Sequence, residues 1–196
     1  MILFKVYMFV GFLSVLKAQT KFMPNLPLGE YRLIISAMYQ CKNIISDLPI
    51  TSNIYLSKRS SNTTEMRGNF TMNTQFDDSY VLDANFASWS LTGGWKPNAI
   101  IYVTNNACTK AKSILGSVWN TIANAFKFPS ENCPVPAGIY KSSGFDTTFF
   151  NDNNFPKVFF YGKYKFVGKI RTKDNKLIAC IVAELNMVRP WESNLD

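Results

Sequence analysis

The chain contains no histidine at all. That absence removes Ser-His-Asp and Cys-His catalysis, and every histidine metal site, from anything this chain builds alone. It has only four cysteines, none in a Cys-x-x-Cys spacing, so zinc-ribbon and thioredoxin-type chemistry are poor readings too. Acid is scarce: 13 Asp and Glu against 21 Lys and Arg leave a formal charge of +8. Beyond the first residues no stretch reaches the ~18 apolar residues of a membrane span. No internal repeat and no Gly/Ser linker divides the chain. What is present in quantity is apolar and aromatic: 47% hydrophobic residues, with 16 Phe, 9 Tyr and 4 Trp among 196. Aromatics pack well on pleated surfaces. A chain of this length buries roughly 70% of its unfolded surface, enough for one domain with a real core.

Met1 to Ala18 reads as a secretory signal, with Lys5 near the start, an apolar run through Leu16 and a small residue at the end. The expected domain is then residues 19–196, extracellular and in an oxidising compartment. Asn62-Thr63-Thr64 and Asn69-Phe70-Thr71 are N-glycosylation sequons that fit such a destination. Cys41, Cys108, Cys133 and Cys180 read as two disulfides, for which the sequence allows three pairings.

Period-two alternation dominates the mature chain. Tyr31 to Cys41 puts Tyr31, Leu33, Ile35, Ala37, Tyr39 and Cys41 on one strand face. Ser52 to Ser57 and Met66 to Gln75 read as strands flanking a polar loop, Lys58 to Glu65. Tyr80 to Leu91 is a long strand stopped by Thr92-Gly93-Gly94, and Ala99 to Val103 a short one. The period changes once. From Asn106 to Phe126, Ala111, Ile114, Leu115, Val118, Trp119, Ile122 and Phe126 recur at helical steps, with Thr104 to Asn106 as candidate N-caps and Pro129 beyond the end. Val158 to Ile170 alternates again, and a turn at Lys173-Asp174-Asn175 leads into Leu177 to Met187, making a hairpin. Seven to eight antiparallel strands with one mid-chain helix predict a mostly-β chain, an immunoglobulin-like β-sandwich or β-cup.

The segment Cys108 to Pro190 carries a likeness to a known group. Its elements are Asn106-Ala107-Cys108 opening the helix, Cys133-Pro134-Val135-Pro136-Ala137-Gly138-Ile139-Tyr140, then Phe155-Pro156, Tyr161-Gly162-Lys163-Tyr164-Lys165 and a last strand holding Cys180. This order resembles the ML lipid-recognition domains, in particular the ganglioside activator and its insect secreted relatives, which include the CheB-type chemosensory proteins. The resemblance implies a cup whose two sheets splay around acyl chains, with no catalysis and no cofactor, in a chemosensory setting for the insect members. It also implies pairing Cys41 with Cys180 and Cys108 with Cys133. The activator's two further disulfides are missing here, so its rim loops and ganglioside specificity are not carried over.

Binding a lipid needs apolar surface that the protein leaves unfilled; at about 0.8 kcal/mol per methylene, a sixteen-carbon chain offers on the order of 12 kcal/mol before association costs. Candidate walls are Ile35, Phe86, Trp89, Ile101, Phe160, Tyr164 and Phe166. Candidate rim residues are Trp95 beside Gly93-Gly94, and Phe145, Phe149, Phe150 and Phe155 in the loop from Gly144 to Pro156. Lys163, Lys165 and Lys169 share one strand face opposite Tyr164 and Phe166, which suits either a solvated sheet or an anionic membrane surface. A receptor protein is the alternative partner if the cup is filled. Nucleic acid is not expected, because no binding module is recognisable. Asp77, Asp78, Asp83 and Glu184 are the carboxylates a hydrolase would need, and the sequence converges nothing else on them.

Overall fold

The computed structural model describes residues 26–41, 48–60 and 63–192. The expected signal segment and Asn62 lie outside the described residues.

Among the described residues there are eleven strands, seven of them nine residues or longer. In chain order they are β1 (Leu28–Glu30), β2 (Arg32–Gln40), β3 (Ile50–Lys58), β4 (Thr64–Met72), β5 (Val81–Ser90) and β6 (Gly94–Asn105). After a helical segment come β7 (Gly138–Lys141), β8 (Phe145–Asp146), β9 (Val158–Phe160), β10 (Gly162–Arg171) and β11 (Leu177–Val188). The larger sheet has the order β2-β11-β10-β5-β6 and the smaller β3-β4-β7, with β8 also on β4; β1 and β9 form a separate ribbon. Every pairing is antiparallel. The molecule is a mostly-β sandwich with a short helical insert.

Alternation decides which face of each strand is buried. On β10, Tyr164, Phe166, Gly168 and Ile170 face the smaller sheet, while Lys163, Lys165 and Lys169 lie on the outer face, as their period-two spacing predicts. Their neighbours on β5 continue the inner layer with Phe86, Ala84 and Leu82. Across the interior β3 and β4 supply Ile50, Ile54, Met66 and Met72, all buried.

Three local readings are corrected. Continuous alternation along β2 fails at Ser36, which has no opposite residue because Ile35 pairs with Leu185 and Ala37 with Glu184. This bulge reverses the faces. Leu33 and Ile35 point inward, whereas Ala37 and Tyr39 share the outer face with Glu184. The single helix is also two, α1 (Ala107–Leu115) and α2 (Ser117–Phe126). Gly116 breaks it, at φ +60, with the Asn154 side chain packed so close that a Cβ there would lie 2.8 Å from it. The apolar stripe survives the break: Val118, Trp119 and Phe126 are buried and Leu115 and Ile122 half-buried. The run from Val158 to Ile170 likewise divides at Tyr161, β9 leaving to pair with β1.

Cys41 is bonded to Cys180 and Cys108 to Cys133. The first bridge joins the end of β2 to β11; the second pins the first turn of α1 to the loop before β7. No cysteine is free. Both bridges fit an oxidising environment. Among the described residues no helix is long and apolar enough to cross a membrane.

Candidate functional site: an apolar cavity between the sheets

The helix pair touches β5 and β6 of one sheet and β7 and β8 of the other. It therefore bridges the layers, and beneath it the sheets do not close. A partly open cavity of about 250 Å³ remains there. Its floor is β10 and β11, with Phe166, Gly168, Ile170, Ala179 and Ile181. Its roof is Ile50, Phe70 and Met72 from the smaller sheet, and α1 and α2 close the side with Leu115, Trp119 and Ile122. The lining is almost wholly apolar; Thr51 and Ser52 are its hydroxyl residues.

The walls are held rigidly. Trp119 donates its indole N–H to the Glu131 carbonyl at 2.7 Å, which fixes the ring over the cavity. Phe128 continues that wall, 4.8 Å from the Tyr140 ring and 6.4 Å from Phe126. Gly168 creates depth in the floor. A Cβ there would sit 2.8 Å from Phe166, whose ring leans over the bare backbone. Side chains lining such a space forgo part of the packing contacts that a filled core would give them.

A second, partly open groove of about 540 Å³ lies at the other end of the interior, between the β1–β9 ribbon and the larger sheet. Leu28, Val158 and Phe160 form its exposed lip; Ile100 and Tyr164 form its base. Tyr164 is buried, its hydroxyl donating to the Phe160 carbonyl at 3.1 Å, and burial pushes its pKa above the ordinary phenol value.

The sequence-derived candidates distribute unequally between these spaces. Phe166 lines the cavity, and Tyr164 and Phe160 line the groove. Phe86 packs behind Phe166, ring centroids 5.0 Å apart, and also meets Phe155 at 6.5 Å. Ile35 is buried with Leu33 and Tyr164 in a separate cluster that closes the sheets near the groove. Trp89 and Ile101 point the other way. Both lie on the outer face of the larger sheet, Ile101 opposite Asn85 and Trp89 opposite Trp95. In the Gly144 to Pro156 loop, Phe145 is a core residue, meeting Phe150 edge to face at 5.1 Å and Phe149 at a tilt at 6.1 Å. Phe149 alone of those three rings is exposed. Asp146 caps the following 3-10 turn, and Asn151 accepts from the Leu33 amide at 2.6 Å, so this loop is anchored at several points.

Sequence reasoning missed Leu82, Ile50, Ile170, Ala179 and Ile181 as wall residues, because each occupies an ordinary inward strand position. Only the layer separation imposed by α1 and α2 turns them into lining. The carboxylates, by contrast, are all engaged in structure. Asp77 accepts from Ser79, Asp78 accepts from the Thr109 amide and hydroxyl at the start of α1, Asp83 pairs with Arg171, and Glu184 pairs with Lys163 and Lys165. Among the described residues no three Cys, Asp or Glu side chains gather as a metal site.

Neither a protein-family model nor a curated protein sequence matches this chain.

Proposed function

We propose that the protein is a secreted, non-enzymatic binder of a lipid or similar hydrophobic ligand, held between the two sheets in the manner of the ML-domain carriers its C-terminal half resembles. The observation that carries the reading is the unfilled apolar cavity of about 250 Å³ beneath the helix pair. An apolar cavity of ~150 Å³ stays dry and takes benzene, so by volume this one suits a guest of about ten heavy atoms. Ten methylenes contribute on the order of 8 kcal/mol gross, which supports useful affinity without any polar anchor. A longer acyl chain would leave its head and first carbons at the mouth. Two disulfides and the sequon at Asn69, whose side chain stands on the outer face of the smaller sheet beside Thr71 at 3.1 Å, support passage through the secretory pathway.

The test is native mass spectrometry of the secreted protein, followed by titration with decanoate and hexadecanoate. Wild type is expected to carry or take up one acyl chain. Ala179→Trp and, separately, Ile181→Phe fill the floor of the cavity and are expected to lower affinity ~tenfold or more with melting temperature held or raised. No uptake by wild type, or unchanged affinity in both folded variants, would count for a filled interaction module with a receptor protein as its partner.

A further inference from the structure

On the outer face of the larger sheet, away from the cavity, the β5–β6 hairpin ends in an uncommon arrangement. Trp89 and Trp95 face each other across the two strands, rings 5.1 Å apart and edge to face. The turn that follows presents Leu91, 98% exposed, and Trp89 itself is 46% exposed. Lys165 places its ammonium 4.3 Å from the Trp95 ring centroid, and Lys163 lies 5.4 Å from Trp95 and 6.0 Å from Trp89. Lys96 folds over the turn at Gly93. Glu184 is the acid among these lysines, 3.1 Å from Lys163 and 3.6 Å from Lys165, so the cluster stays net positive. Around the same end, Leu28, Val158 and Phe160 form the exposed lip of the open groove, whose base includes Ser88 and Ile100 of the same hairpin.

We infer that this end of the larger sheet, with Leu91 and the Trp89–Trp95 pair at its tip and Lys96, Lys163 and Lys165 around them, is a docking surface for anionic lipid bilayers. A fully exposed leucine at a hairpin tip has no folded-state reason to be apolar, and burial among acyl chains supplies one. Paired indoles suit the headgroup region, where an apolar ring and a polar N–H are both satisfied. Ammonium groups held against those rings sit where lipid phosphates lie, each worth about 1 kcal/mol near an anionic surface, or roughly fivefold in affinity. A soluble anionic polymer would use the lysines and leave Leu91 without a role, which is why a bilayer is the better fit. The surface is distinct from the cavity, so the inference stands or falls separately from ligand uptake.

The test is co-sedimentation of the secreted protein with vesicles of phosphatidylcholine alone and of phosphatidylcholine with 30% phosphatidylserine. Binding is expected to the anionic vesicles, weakening as salt rises. Leu91→Asp is expected to lower it ~tenfold or more. Lys96→Gln with Lys163→Gln is expected to lower it ~25-fold. The same charge change at Lys173 and Lys176, on the β10–β11 turn about 30 Å along the sheet, is expected to have little effect. Ala179→Trp should bind vesicles as wild type does even if it takes up no ligand. The inference is overturned by no binding to anionic vesicles, by binding that Leu91→Asp leaves intact, or by equal losses from both lysine pairs.

Discussion

At the residue scale Glu65 shows how a single buried charge is made tolerable. It stands at the start of β4 under the segment that runs from Gly144 into β8, with its side chain nearly inaccessible. Arg67 reaches it through two nitrogens, at 2.8 and 3.1 Å, and Arg59 at 3.0 Å. The Arg67 hydrogen bonds come first among the causes that hold its carboxyl below the usual range, with burial opposing them. A carboxyl whose folded pKa is depressed stabilises above its unfolded value, here 4.5, and loses that contribution as pH falls through the lower folded value. Glu65→Gln keeps the shape and removes the charge. The variant should be less stable than wild type at pH 7, and the gap should close as pH falls below about 4.5 toward 3. Denaturant unfolding at several pH values measures this. A gap of constant size from pH 7 to pH 3 would show that shape rather than charge carries the role of Glu65.

At the element scale the two disulfides make unequal demands. Cys41–Cys180 spans 139 residues and joins the edge strand β2 to its neighbour β11; Cys108–Cys133 spans 25 and fixes α1 locally. Loop-closure entropy assigns them about 5 and 3.5 kcal/mol. Replacing Cys41 and Cys180 by Ser should therefore depress the melting temperature and the secreted yield more than replacing Cys108 and Cys133. Phe149→Ala, at an exposed ring, should change either little. Equal yields for the Cys41 and Phe149 variants would sink this ordering. Most of the long strands, the β10–β11 hairpin and the inward set on β10 were legible in the sequence because alternation is a local signal; of β6 only Ala99 to Val103 was, since its first half holds Pro97 and shows no apolar alternation. The bulge at Ser36 was not, since an extra residue in one strand shows only against its partner β11. Nor was the break at Gly116, where the apolar stripe runs on unchanged and only the packing of Asn154 reveals the turn. The cavity was partly legible. Phe166 follows from alternation, but the distance between sheets depends on where α1 and α2 lodge. Trp89 and Ile101 were candidate walls as members of apolar strand faces, but both lie on the outer face by plain alternation: Trp89 is three residues from inward Phe86 along β5, and Ile101 pairs with Asn85, Phe86's outward neighbour.

At the scale of the whole molecule, the missing histidines become a statement about regulation. All four thiols are in disulfides, so no side chain with an ordinary pKa between 5 and 8 remains to titrate. The resolved shifts push the remaining titrations outward. Asp77, held by Ser79, Asp174, held by Thr172, and Glu192, held by Arg189, all lie below their ordinary values. Burial pushes Glu184 up, but Lys163, Tyr39 and Lys165 outweigh it and hold it low as well. Burial raises Tyr31, Tyr140 and Tyr164 above 10.0. Depressed acids cost stability only as pH falls below 3.8 to 4.5, and raised phenols only as pH climbs past 10.0. Between these limits the folded and unfolded chains bind nearly the same number of side-chain protons. A single histidine shifted by one pKa unit would tilt this plateau by about 1.4 kcal/mol, or roughly 3 to 5 °C for a domain of this size. The melting temperature is therefore expected to vary by no more than about 2 °C from pH 5.5 to 8.5 and to drop below pH 4.5. Affinity for an uncharged apolar probe, measured at both ends of that range, should be equally flat, because the cavity lining holds no group that titrates there. Any discharge of a guest by mild acid would then have to act outside the fold, through the guest's own headgroup. A melting curve that moved steeply between pH 6 and 7 would place a titrating group in the fold that these side chains do not supply.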